Sequence, residues 1–163
     1  MRFTQKLLWA RKSYCAARHP DKVVDFVCMP YKYLIDPAIP FDESNKANHD
    51  LDMNPDWPYN YVNAIMECPQ DKIILIPSDS FVLYLLSVVN IPYYLCYPSW
   101  FSKRIYRKRF IKRGNSQEFL SIFIGKWKYF MRSFRNDTYG KHIKLRPHQY
   151  LSDVIDIQSL LDH

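Results

Sequence analysis

Short apolar runs of strand length alternate along this chain with longer stretches of helical period, and that rhythm restricts the fold more than any other feature. The run Lys72-Ile-Ile-Leu-Ile76 is continuously apolar and closed by Pro77, the pattern of a strand buried on both faces. Residues 22–28, 92–96 and 142–145 read as three further strands. Helical candidates lie over 59–68, 79–88, 101–113, 117–134 and 150–161. Ser78 is placed to cap the helix starting at Asp79, and Asn115 or Ser116 the helix starting near Gln117. In the latter, Phe119, Phe123, Trp127, Phe130 and Phe134 form an apolar stripe at helical spacing, which means core packing. Strands alternating with helices predict an α/β domain with a mostly parallel sheet.

The length of 163 residues suits one domain, 1–163, with a sizeable core. Thirteen Tyr, ten Phe and four Trp supply that core and leave rings for stacking on bases. Cys15, Cys28, Cys68 and Cys96 are scattered, with no CxxC and no His at zinc-ligand spacing, so reduced thiols and no metal site are expected. His142 and His148 flank a strand-like piece and read as structural. The segment 36–58 breaks the rhythm with four prolines and six acids, and reads as a polar lid or flap. No run is long enough to span a bilayer, and a cytoplasmic setting without membrane contact is the expectation. No recognisable Ser/His/Asp arrangement or hydrolase carboxylate pair is present.

Charge concentrates in one place. Lys103-Arg104-Ile105-Tyr106-Arg107-Lys108-Arg109-Phe110-Ile111-Lys112-Arg113 holds seven cations and no acid, as much charge as the formal +7 of the whole protein. In a helix it stacks like charges four residues apart, at a cost of about 1–2 kcal/mol in isolation. Such a stretch fits an anionic ligand: a nucleotide phosphate, a nucleic-acid backbone or an acidic protein surface. For nucleic acid, Tyr106 and Phe110 are the candidate stacking rings among Lys103, Arg104, Arg107, Lys108, Arg109, Lys112 and Arg113.

Glycine limits the chemistry. The only three are Gly114, Gly125 and Gly140, so a standard glycine-rich phosphate loop is excluded from the first 113 residues.

The order of segments is familiar: Asn54-Pro-Asp-Trp-Pro-Tyr-Asn-Tyr-Val62, the strand at 72–76, Tyr97-Pro98, Arg113-Gly-Asn-Ser, and Gln149-Tyr-Leu-Ser-Asp-Val-Ile155. Over nearly its whole length the chain resembles P-loop proteins of bacteriophages and related mobile elements, which look like small nucleoside monophosphate kinases. The resemblance implies a P-loop kinase-like three-layer domain with a basic helical lid over 101–116, and ATP with Mg2+ as cofactors. Lys12 and Ser13 match the phosphate-contacting Lys and the magnesium-contacting hydroxyl, but both glycine slots fail, reading Lys6 and Arg11. Cys28-Met29-Pro30 stands where the family carries Asp-Ser-Ser, and Pro77-Ser78-Asp79-Ser80 where it carries Ser-Ser-His. Arg104, Arg107, Arg109 and Arg113 match lid arginines that neutralise charge on transferring phosphates. An intact cationic lid beside an eroded phosphate cradle implies a pseudokinase, which binds a phosphate-rich ligand or a host protein without efficient turnover. A role as a host-defence inhibitor follows by fold-level analogy alone. An active nucleotide kinase and a nucleic-acid-binding protein are the alternatives.

Overall fold

The computed structural model describes residues 12–35 and 51–156. In chain order these form α1 (Lys12–Arg18), β1 (Val23–Asp25), α2 (Met29–Lys32), α3 (Tyr59–Met66), β2 (Ile73–Leu75), α4 (Ser80–Val88), β3 (Tyr94–Pro98), α5 (Lys103–Lys112), α6 (Gln117–Leu120), α7 (Trp127–Asn136) and β4 (Lys141–Leu145). β1 pairs with β2 and β3 with β4, both parallel, with Val23 opposite Ile73 and Tyr94 opposite Lys141. Each parallel pair requires a crossover through helices, and the chain supplies them between the paired strands.

Alternating strand residues face two separate apolar layers. Val24, Ile74, Ile76, Tyr93, Leu95 and Tyr97 pack with α3, α4, α5 and α7. Val23, Ile73, Leu75 and Cys96 face the other way, onto Cys15 of α1 and Leu151. Helices therefore pack on one face, and α1 with the 3₁₀ turn Leu151–Asp153 packs on the other. The expected α/β class with parallel pairing is present.

Several boundaries differ from expectation, each for a local reason. Asp79, not Ser78, caps α4: its carboxylate accepts the Phe81 amide at 3.0 Å. Ser116 caps α6, accepting the Phe119 amide at 3.1 Å. The single helix expected over 117–134 is divided by a π-helical segment, Ser121–Gly125. The aromatic stripe survives this break: Phe119, Phe123, Phe130 and Phe134 form a chain of ring contacts while Trp127 is fully buried. Helix was also expected over 150–161; Leu151–Asp153 forms only a 3₁₀ turn, and 157–161 lies outside the described residues. Of the expected lid segment 36–58, residues 36–50 lie outside the described residues, and the remainder returns through an antiparallel bridge between Tyr33 and Met53.

Candidate anion-binding face

α5 follows a 3₁₀ turn, Trp100–Ser102, that is tied down where the Trp127 indole donates to the Trp100 carbonyl at 3.0 Å. Within the basic run the apolar positions Tyr106 and Phe110 are four residues apart, so they share one helical face. That face is buried. Tyr106 meets Trp127 at 5.6 Å between ring centroids, and Phe110 meets Phe119 edge-on at 5.1 Å. The stacking role expected of Tyr106 and Phe110 is thereby corrected: both rings are core side chains and present no face to a base. Burial pushes the Tyr106 hydroxyl above the ordinary tyrosine range, while Arg109 and Arg113 pull it the other way.

The cations divide accordingly. Lys103, Arg104, Arg107, Lys108 and Lys112 are exposed and have no acidic partner among the described residues. Arg109 is half-buried, its guanidinium 5.1 Å from the Tyr106 ring centre and 4.6 Å from that of Tyr150. It fastens the C-terminal segment to α5, and a role in phosphate contact would require leaving both rings. Arg113 occupies the C-cap position.

Behind it stands Gly114 at φ 75°, with its amide bonded to the Ile111 carbonyl at 2.9 Å and the Asn115 amide to the Phe110 carbonyl at 3.2 Å. These two bonds form a Schellman cap, which requires a left-handed residue at that position. The Arg-Gly-Asn segment thus ends α5 sharply.

Lys12 and Ser13 occupy the first turn of α1; residues 6–11, the rest of the expected phosphate loop, lie outside the described residues. The elements beside β1 and β2 are committed to structure. Cys28 occupies the N-cap position of α2, with Pro30 in its first turn. Besides capping α4, Asp79 pairs with Lys32 at 3.1 Å, and that ammonium also sits 5.2 Å from the Trp57 ring centre. Asn60 donates to the Tyr31 carbonyl at 2.8 Å and Tyr61 to the Phe26 carbonyl at 2.6 Å. The Asn-Pro-x-x-Pro-x-Asn-Tyr segment is therefore a clasp that holds α3 against α2 and the end of β1.

A second cationic stripe escaped sequence reading. Lys128, Arg132 and Arg135 recur at helical spacing on an exposed side of α7, flanking its buried Trp127, Met131 and Phe134. The available signal was the same amphipathic periodicity that revealed the aromatic stripe, read from its polar side.

Among the described residues no cluster of three His, Cys, Asp or Glu side chains is placed to hold a metal ion, and no helix is long and apolar enough to cross a membrane. The four cysteines form no disulfide. His142 packs edge-on to Tyr97, its Nδ1 3.3 Å from the Tyr97 hydroxyl. Comparison with protein-family models, curated proteins and solved structures returns no match.

Proposed function

We propose that this protein binds a phosphate-rich anion on the outward face of α5 and does not turn it over, as a degenerate relative of P-loop kinases. The observation that carries the reading is the set of exposed cations Lys103, Arg104, Arg107, Lys108 and Lys112, without acidic partners among the described residues. Their mutual repulsion is unrelieved within the described fold and would be relieved by an anion. Tyr106 and Phe110 anchor the helix beneath, so the charges ride on a fixed support. Missing glycines at Lys6 and Arg11 argue against a working phosphate cradle, and Asp79 is spent on a cap and an ion pair. Parallel strand pairs covered by helices on both faces agree with a kinase-like layer order without singling it out.

Calorimetric titration with ATP and Mg2+ tests this, alongside an assay for ADP release. The expected result is saturable binding that weakens in the Arg104→Gln/Arg107→Gln variant, with no ADP formed. Mg2+-dependent ADP release abolished by Lys12→Ala would establish the active-kinase alternative instead. Absence of nucleotide binding would leave α5 to a longer polyanion.

A nucleic-acid reading has one specific observation in its favour. Phe101, 87% exposed at the head of α5, is a ring available for stacking beside the cations. Single-stranded oligonucleotide binding through five phosphates predicts a log K against log salt slope of about −3.5.

A further inference from the structure

A cleft of about 560 Å3 opens between α4 and α7, within the range of roughly 300–1,000 Å3 typical of small-ligand sites. No residue of α5 lines it, so a ligand there is independent of the anion-binding role proposed for that helix. Each wall presents an aromatic ring to solvent: Tyr84 on α4 is 65% exposed and Tyr129 on α7 is 67% exposed. Single exposed rings are common on protein surfaces, but here two from different helices border one concavity.

The charge balance inside the cleft is one-sided. Its lining includes two charged side chains, Asp137 and Arg132. Asp137 is consumed by the fold. It accepts the Tyr93 hydroxyl at 2.6 Å and the amides of Gly140 at 2.7 Å and Tyr139 at 3.2 Å. His142 Nε2 approaches the same carboxylate at 3.9 Å. Arg132 is exposed and has no acidic partner among the described residues. The cleft therefore offers one uncommitted guanidinium, the exposed rings of Tyr84 and Tyr129 at its helical walls, and several hydroxyls including that of Ser133. Tyrosine rings also attract cations, but Arg132 with a satisfied Asp137 disfavours them.

We propose that the cleft between α4 and α7 binds a small aromatic anion, with its ring against Tyr84 and Tyr129 and its anionic group on Arg132. Phenyl phosphate is the probe, titrated calorimetrically against the full chain, with inorganic phosphate and phenol as the single-feature controls. The expected result is one saturable site for phenyl phosphate and much weaker binding of either control.

Arg132→Gln weakens it about tenfold, as expected for loss of a charge-assisted hydrogen bond. Tyr129→Ala weakens it by roughly threefold to tenfold through the lost ring contact. Ser133→Trp, at an exposed position of α7, fills the cleft and blocks binding. Arg104→Gln/Arg107→Gln on α5 leaves it unchanged. Unchanged melting temperatures show that these exposed substitutions preserve the fold. The proposal is overturned by no binding to wild type, by equal affinity for inorganic phosphate, by indifference to Arg132→Gln and Ser133→Trp, or by loss in the α5 variant instead.

Discussion

Gly114 and Gly140 each hold a position where a side chain carries a cost, for different reasons. At Gly114 the backbone is left-handed, with φ 75°, and a side chain there meets no neighbour. Gly114→Ala is therefore expected to cost about 1–2 kcal/mol through backbone strain alone, read as a lower midpoint in urea. At Gly140 the obstacle is steric. A Cβ there would collide with the Tyr93 ring, whose hydroxyl is bonded to Asp137. Gly140→Ala should therefore be the more damaging of the two, and the same denaturation series ranks them. Neither role was legible in the sequence. Counting glycines excluded a phosphate loop, but the collision at Gly140 depends on Tyr93, which only the fold brings near.

The helix α5 shows how one element can be read correctly in charge and wrongly in orientation. Its basic character is plain from composition. The four-residue spacing of Tyr106 and Phe110 is an equally plain apolar stripe, masked by seven cations. The repulsion on its outer face gives a prediction at this scale. Lys108 lies four residues from both Arg104 and Lys112, so Lys108→Glu turns two repulsive pairs into attractive ones. Stability is expected to rise by about 0.5–1 kcal/mol, seen as a higher melting temperature, while affinity for ATP falls. A variant that loses both would refute the idea that this face is tuned for an anion.

β1 ends at Asp25, three residues short of the expected Cys28, but the other strands were legible to within two residues because apolar runs bordered by proline admit few alternatives. The π-helical break at Ser121–Gly125 was not, since it preserves the aromatic order on either side. The α4–α7 cleft left no signature either, because its walls come from separate segments that share no motif.

Across the whole molecule, buried tyrosines set the response to alkaline pH. Burial raises the hydroxyl of Tyr61 well above the ordinary tyrosine value of 10.0, and burial, with Asp137 beside it, does the same for Tyr93. Both stay protonated in the folded state where the unfolded chain loses its protons. Their stabilising contribution is fully present below about pH 10 and is lost as pH climbs, at about 1.4 kcal/mol per pH unit for each group. Stability measured from pH 9 to 11.5 should fall, and Tyr93→Phe should flatten that fall while lowering stability at pH 7 through the lost bond to Asp137.

Parallel pairing also governs the order in which the molecule can be assembled. Val23 waits for Ile73, and Tyr94 for Lys141, each about fifty residues later in the chain, which places folding among the slower, non-local topologies. On the ribosome the first strand emerges and remains without its partner until α2 and α3 have followed it. β3 likewise waits while α5, α6 and α7 are made. All residues of the basic helix are thus made before the second strand pair can close, so the anion-binding face proposed for α5 would meet polyanions on a chain still unfinished.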